Sequence, residues 1–234
     1  MVSHLNMVEF IRYPSTASFP NFITNRRHDW APTTPRGGTF LGTVKLHGSN
    51  ITIVLRPRTL PQIQSRNRII SRGDDSYGAS AFLDKVPFQT LIDDIIAIRG
   101  GGETWNEIIL ACEYCGQKIQ SGVAISHLPN FLAIFNIRIN GEWVGDMRNF
   151  KTVALPQHRI FNVAAVGPIF EVTVKDFNQD ADVKNAEECM REKTLAVGKQ
   201  CPFALAVSPL LLHPNEPPVK GPGKPLSSLF RFFF

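Results

Sequence analysis

The chain has 234 residues, of which 43% are hydrophobic and 19% are charged. This composition excludes an intrinsically disordered chain, because the apolar residues are numerous enough to form the core of one sizeable domain or two small ones. The formal net charge is +5, from 25 Lys and Arg against 20 Asp and Glu, and the pI is near 9.2. Such a charge is compatible with a partner that carries phosphate groups.

Residues 1–6 lack a cationic start followed by a long apolar run, and no segment reaches the roughly 18 apolar residues that a membrane helix needs. We therefore expect a soluble intracellular protein that has no membrane partner. Four cysteines in a chain of this length are typical of reduced thiols rather than of a disulfide framework.

One interpretation of the cysteines is a zinc site. Cys112 and Cys115 form a C-x-x-C motif, a spacing that occurs in zinc sites. Cys189 and Cys201, however, are twelve positions apart and form no second motif of this kind. We therefore interpret these cysteines as small apolar residues that flank a strand. A zinc-binding structural module is the alternative.

The first 40 residues are predicted to form a loop-rich segment with at most short strands or turns. Internal repeats are absent from the sequence. The residues that predict interruptions of regular structure in the first 40 are Pro14, Pro20, Pro32, Pro35, Gly37 and Gly38.

Lys45 is a lone lysine between two strand-like segments. Apolar and polar residues alternate before a turn at Gly48 and Ser49, and residues 51–55 resume an extended apolar pattern, which predicts a β-hairpin or a strand-turn-strand. Lys45 would end the first strand, on the face that carries Thr43. A lysine that is partly desolvated or close to other cations can lose its proton and become an amine nucleophile. The structural alternative is a strand-end lysine with its ammonium group in water.

Residues 63–71 are predicted to form a basic strand with Arg66 and Arg68 on one face. Guanidinium groups in fixed positions suit phosphate oxygens, because their N–H groups form a planar fork. The alternative is an exposed basic strand without a ligand.

Hydrophobic periodicity predicts the remaining elements. Pro87, an apolar stripe after it and the glycines at 100–102 predict a helix packed on a sheet. Strands are predicted at 108–112 and 131–139, and a second helix at 180–197. Together these elements predict an α+β fold. The stripe consists of Phe88, Leu91, Ile92 and Ile95.

Two residues on the predicted strands need a particular explanation. Glu113 ends an apolar strand, where a carboxylate is costly unless a cation, a hydroxyl or a metal ion lies beside it. Phe135 offers a flat surface for a base, although an aromatic residue on an apolar strand is more often part of the core.

Four segments occur in an order that is typical of one group of enzymes. They are Lys45-Leu46-His47-Gly48-Ser49-Asn50, residues 64–68 followed by 75–78, residues 113–120, and residues 131–135. In this order the chain resembles the covalent nucleotidyltransferases, and within them the RNA ligase family related to the second RNA ligase of bacteriophage T4 and the trypanosome editing ligases. The first segment matches the nucleophile motif K-x-(D/H)-G-(S/T/A)-N of that family. The resemblance spans roughly residues 13–203.

The resemblance implies an α+β nucleotidyltransferase (ATP-grasp-like) core, in which two antiparallel β-sheets with flanking helices surround a nucleotide cleft. It implies an ATP-dependent RNA ligase that uses ATP and Mg²⁺. The lysine would form a lysyl-AMP intermediate, AMP would pass to an RNA 5′-phosphate, and an RNA 3′-hydroxyl would seal the strand and release AMP. RNA with these two ends is the implied partner, and the oligomeric state stays open, with a monomer as one interpretation.

The resemblance also implies a role for each matching residue. Lys45 is the nucleophile, and Asn50 helps to order the phosphate and its metal-bound water. His47 and Gly48 belong to the nucleotide-binding segment, with a minor role for His47. Val44 contributes a backbone contact to the base.

Three residues farther along complete the implied nucleotide site. Arg66 contacts AMP and the reacting ends, and Glu113 holds the ribose or the nearby metal shell. Phe135 stacks on adenine. The resemblance assigns no side chain here as a direct metal ligand.

The C-terminal part departs from the family pattern. After Phe203 the expected E-G-x-V strand, whose glutamate binds metal, and the K-x-K strand, whose lysines bind the α-phosphate, are missing. Lys220 and Lys224 only bracket a Gly-Pro-Gly segment. We predict an RNA ligase/adenylyltransferase domain at 1–203, incomplete at its C-terminal end, and a divergent Pro/Gly/Phe-containing tail at 204–234, which is expected to pack into the fold or to promote aggregation.

Two functional alternatives remain. Without these strands the protein could be a catalytically impaired pseudo-ligase that binds ATP or RNA. A DNA ligase or a capping-type nucleotidyltransferase would share the lysine motif, but the K-x-H-G-S-N and Q-S-R segments favour an RNA ligase.

Overall fold

The computed structural model describes residues 9–14, 18–29, 31, 33–71, 73, 77–102, 104–123, 125–197, 201–207 and 230–233. In this part of the chain the strands form two sheets. The strands are β1 Gly38–Val44, β2 Ser49–Leu55, β3 Gln62–Ser65, β4 Ile69–Ile70, β5 Ile108–Cys115, β6 Phe131–Ile139, β7 Glu142–Trp143, β8 Ile160–Asn162, β9 Phe170–Val174 and β10 Phe230–Phe233.

The larger sheet contains seven of the described strands, in the order β4-β3-β2-β5-β6-β7, with β8 paired to β6. Only the β6 and β8 pair is parallel among the described strands. The smaller sheet has the order β10-β1-β9 and is antiparallel. β5 and β6 are central and almost fully buried, as expected for their apolar sequences.

The strands β1 and β2 are consecutive in the chain but lie in different sheets. β1 pairs with β9 and β10, whereas β2 pairs with β3 and β5. The predicted hairpin is therefore wrong, and its alternative, a strand-turn-strand, is confirmed. The spacing of residues reveals a turn but not which sheet accepts each strand. Residues 45–48 form a linker that crosses from one sheet to the other.

The helices flank the two sheets. The helix predicted after Pro87 is confirmed as α3, with its predicted stripe buried, and the helix predicted at 180–197 is confirmed as α5. In chain order they are α1 Phe19–His28, α2 Ala79–Leu83, α3 Phe88–Ile98, α4 Val163–Val166, α5 Asp180–Val197 and α6 Pro202–Val207. Together with the antiparallel sheets, they confirm the predicted α+β class.

The prediction of a loop-rich segment up to residue 40 is wrong at α1. Pro20 lies in the first turn of this helix, where its missing N–H removes no intrahelical hydrogen bond. α1 buries Phe19 and Ile23 against the smaller sheet, and this packing outweighs the local signal of the prolines.

In the described ranges, the buried apolar residues form three clusters. The main core packs one face of the larger sheet, with Ile53 and Leu110, against α2 and α3. The linker-side cluster lies on the opposite face of that sheet and includes Val44, Leu46 and Phe131. The third cluster packs the smaller sheet against α1 and α5. Full burial of one such side chain stabilises the fold by about 1.5–3 kcal/mol.

The tail predicted after Phe203 includes the rest of α6, which packs on the larger sheet, and β10, which is a strand of the smaller sheet. The predicted boundary falls inside α6, where Phe203 stacks on Phe131 at 5.7 Å and Val207 is fully buried. Farther on, β10 pairs with β1. Lys220 and Lys224 lie outside the described residues.

Within the described ranges, no helix combines the length and the apolar character needed to cross a bilayer.

Candidate active site

The linker holds Lys45 at the junction of the two sheets. Its neighbours Val44 and Leu46 are buried in the linker-side cluster, whereas the Lys45 side chain is only partly buried. His47 is also partly buried. The apolar neighbours therefore fix the backbone on both sides of Lys45, while part of the lysine itself stays exposed.

Gly48 attaches the linker to the end of β5. Its N–H donates to the Glu113 Oε1 atom at 2.9 Å. A Cβ atom on residue 48 would lie 2.2 Å from the Tyr114 carbonyl oxygen and 2.7 Å from Cys115 Sγ. Heavy atoms that are not bonded to each other essentially never come this close. The approach of the linker to β5 therefore requires glycine at position 48. Packing therefore explains the glycine of the motif independently of any ligand.

Glu113 is a buried carboxylate, with 7% of its surface exposed. Burial of a carboxylate is unfavourable without hydrogen bonds, and the Gly48 N–H supplies one. Glu113 thus joins β5 to the linker, and its charge lies close to the segment that carries Lys45.

Residues of the linker-side face meet at this end of the larger sheet. Asn50 on β2 is the direct cross-strand partner of Glu113 on β5. Side chains alternate between the faces of a strand, and Ile51 and Cys112 belong to the main core. Asn50 and Glu113 therefore share the face that looks toward the linker.

Arg66 and Arg68 do not lie on a strand, so that prediction is wrong. They occupy an exposed turn between β3 and β4. The Ser65 hydroxyl accepts hydrogen bonds from the N–H groups of Asn67 and Arg68 at 3.4 and 3.3 Å, a serine turn that reverses the chain. Because Ser65 pairs with Ile51, Arg66 follows at the level of Asn50.

Phe135 sits at an irregularity in β6. Cys112 pairs with Ile134 and Ala111 with Asn136, so Phe135 is an extra residue in a β-bulge. Its surface is 3% exposed, and it belongs to the same cluster as Val44 and Leu46. Phe135 is therefore a buried core residue that lies in the same cluster as the residues on either side of Lys45.

Two further residues lie near the candidate site, although little in the local sequence pattern points to them. Tyr13 packs edge-on against Phe135, with ring centroids 5.3 Å apart. Thr43, two residues before Lys45, is 3% exposed, and its hydroxyl has no hydrogen-bond partner in the described part of the chain. Alternation with Lys45 was the only sequence signal for Thr43, and Tyr13 had none.

The C-x-x-C cysteines cannot share a metal ion. Cys112 belongs to the main core and Cys115 to the linker-side cluster, on opposite faces of β5. Burial, and to a lesser extent the nearby Glu113 charge, raise the pKa of the Cys112 thiol well above its usual value. A thiol that keeps its proton is a poor zinc ligand.

The residues near the linker suit a metal ion that arrives with phosphates. Among the described residues, no group of three or more His, Cys, Asp or Glu side chains could hold a metal ion. Mg²⁺ commonly takes one or two carboxylates together with phosphate and water oxygens. Glu113 provides one such carboxylate. Asp75 and Ser76 of the second segment lie outside the described residues.

No family model matches the chain, and no curated protein matches its sequence. Among solved structures, it is similar to mutants of an RNA ligase from Naegleria gruberi. The TM-scores are 0.48 for a mutant with ATP and Mn, 0.47 for one with AMP and Mn, and 0.47 for an apo mutant. Each is 16% identical and covers 76% of this chain, but only 45–46% of the ligase. This chain therefore spans less than half of that ligase, and similarity at this level implies neither its activity nor its substrate.

Proposed function

We propose that the protein is an ATP-dependent RNA ligase in which Lys45 is the adenylylated residue. One observation carries this proposal. Motif segments that are far apart in the sequence meet at one end of the larger sheet, where the linker of Lys45 is bonded to Glu113 and Glu113 is paired with Asn50. A carboxylate, an amide and a partly exposed lysine at one junction suit nucleotidyl transfer.

In the first step, the Lys45 amine attacks the α-phosphorus of ATP. A P–N bond forms, the bond to the bridging oxygen breaks, pyrophosphate leaves, and the amine proton passes to solvent. The attack requires a neutral amine in line with the leaving group. The buried residues Val44 and Leu46 support this step by fixing the backbone of the linker.

The residues around the linker would bind the nucleotide. We assign Asn50 to the phosphate, Arg66 to AMP and the reacting RNA ends, and Glu113 to the ribose or the metal shell. His47 has a minor part, and the backbone of Gly48 keeps Glu113 in place. Mg²⁺, when bound with ATP, supplies neutralisation of the developing phosphate charge.

The adenine base would stack on Phe135, with a backbone contact from Val44. Both residues belong to the linker-side cluster, which places the proposed base site beside the proposed nucleophile. Because Phe135 is buried in this structure, base binding requires its neighbours to rearrange.

The second and third steps act on RNA. AMP passes from Lys45 to an RNA 5′-phosphate, and the 3′-hydroxyl of the other end then displaces AMP to form the phosphodiester. The net charge of +5 favours such a polyanionic substrate. We propose that residues 1–203 form the adenylyltransferase domain and that the tail from 204 replaces its last strands.

The departure of residues 204–234 from the E-G-x-V and K-x-K pattern favours a second candidate. Without that glutamate and those lysines, the protein would bind ATP or RNA but adenylylate itself slowly or not at all. A DNA ligase or a capping-type enzyme is the third candidate.

A labelling experiment separates these candidates. The protein is incubated with Mg²⁺ and ATP labelled at the α-phosphate, and then with nicked RNA or nicked DNA duplexes. We expect stable label on the wild type and on K175A, an exposed lysine of the small-sheet region, and none on K45A. Chase of the label into sealed RNA supports an RNA ligase. A folded protein that binds ATP without becoming labelled would be the pseudo-ligase, and sealing of DNA alone would contradict the RNA substrate.

A further inference from the structure

Residues 9–13 form a segment, here called the strap, that crosses the linker-side face of the larger sheet. At β3, the Ile11 N–H donates to the Gln64 side-chain oxygen at 3.1 Å. The side-chain amides of Gln62 and Gln64 donate to the Glu9 carbonyl oxygen at 2.9 and 3.3 Å. These hydrogen bonds fix one end of the strap to the edge of the sheet.

The other end of the strap places Tyr13 between two aromatic side chains. Its ring meets Phe135 at 5.3 Å and 89°, and Trp143 of β7 at 4.9 Å and 81°. Edge-to-face contacts of this kind are attractive and orientation-dependent. Tyr13 is thereby held on one side by Trp143 while it contacts Phe135 on the other.

The strand register orders the contacts around Phe135 along β6. Toward the linker, Glu113 pairs with Ala133, two residues before Phe135. Toward the strap, Trp143 pairs with Arg138, three residues after Phe135. Trp143, the second support of Tyr13, therefore lies beyond the bulge from Glu113, and Tyr13 joins this support to Phe135.

The strap meets the same end of the sheet at β3. Gln64 pairs with Thr52, which pairs with Ala111, and Ala111 pairs with Asn136, the residue after Phe135. The Gln64 end of the strap therefore lies in the row of the sheet that contains Asn136, at the level of the bulge.

We propose that Tyr13 is a positioning residue that fixes the Phe135 ring for stacking on the nucleotide base. This inference rests on the proposed function, in which Phe135 stacks on adenine. The extra residue of a bulge has no pairing partner on the adjacent strand, so its side chain depends on packing by other residues for a single orientation. Tyr13, anchored by the strap and by Trp143, provides that packing.

The test compares nucleotide binding and turnover among matched variants. We expect Y13L to raise the KM for ATP in self-adenylylation by about threefold to tenfold, the loss expected for one aromatic contact, with kcat nearly unchanged. Y13F keeps the ring and should restore the wild-type KM. F22L is the matched control, because it removes a partly buried ring that makes two edge-to-face contacts in the third cluster, away from the linker.

A double variant tests whether Tyr13 acts through Phe135. F135L should raise the KM, and Y13L added to F135L should raise it no further, because the ring that Tyr13 positions is gone. If Y13L does not fold, W143L loosens Tyr13 from its other side, and W105L serves as its control. Equilibrium ATP binding gives the same comparison for a chain that does not label itself.

Three results would overturn the inference. ATP binding by Y13L that equals or exceeds that of F22L, while F135L binds weakly, would remove the role of Tyr13 and leave the base site intact. Additive effects in the double variant would show that Tyr13 acts independently of Phe135. No effect of F135L itself would overturn the proposed base site, and the role of Tyr13 with it.

Discussion

The two faces of the larger sheet bury different kinds of side chain. The main-core face packs Ile53, Leu110 and Ile134 against helices. On the linker-side face, the central strands bury polar groups as well: Thr52, Gln64, Glu113 and Asn136. Burial of a polar group without a partner costs about 1–3 kcal/mol, so polar groups weaken a face unless each is hydrogen-bonded. Apolar packing therefore holds the first face, whereas the second face also carries the residues of the candidate site.

The largest expected effect is on the main-core face. L110A removes most of a fully buried side chain and should lower the free energy of unfolding by about 2–5 kcal/mol, measured by urea denaturation. Because Leu110 faces away from the linker, the folded fraction should label itself at nearly the wild-type rate. A labelling defect in excess of the loss of folded protein would break the division between the two faces.

The next effect concerns the linker. G48A places a methyl group against the Tyr114 carbonyl oxygen, and the linker must shift to avoid it. We expect a loss of stability of about 1–3 kcal/mol, typical of overpacking, together with loss of self-adenylylation. G145A is the matched control, because a Cβ at Gly145 meets no atom within 4 Å. If G48A labels as fast as G145A, the linker does not set the position of Lys45.

The smallest effect is expected at Thr43. T43V keeps the shape of the side chain and removes a buried hydroxyl that lacks a partner in the described structure. The free energy of unfolding should stay equal or rise by up to about 1 kcal/mol, measured by thermal and urea denaturation. T43S is the control that keeps the hydroxyl. A destabilised T43V would mean that the hydroxyl has a partner in solution.

The sequence predicts those elements whose local pattern of apolar residues is unbroken. β5, β6, α3 and α5 follow from unbroken apolar runs or from helical periodicity, and packing agrees with both signals. The local pattern does not predict α1, because prolines usually indicate loops. Pro20 is nevertheless compatible with a helix, since it lies in the first turn. Local pattern is thus sufficient where it agrees with tertiary packing.

The site was predicted only in part, since its geometry depends on long-range pairing. Spacing marked Lys45 and Gly48, but the separation of β1 and β2 into two sheets depends on strands far along the chain. The contact between Tyr13 and Phe135 joins residues that share no local pattern. The turn at Arg66 depends on hydrogen bonds to the hydroxyl of Ser65. In the sequence alone, a serine at this position is equally compatible with a continuing strand.

The most direct test of the central claim is peptide mapping by mass spectrometry after incubation with ATP and Mg²⁺ and isolation at a pH that preserves a phosphoramidate. If Lys45 is the nucleophile, the wild type and K175A will each carry one AMP per chain, on the peptide that contains Lys45. K45A will carry no AMP. AMP on a different residue, or its absence from a folded wild-type protein that binds ATP, would contradict the claim that Lys45 is the nucleophile.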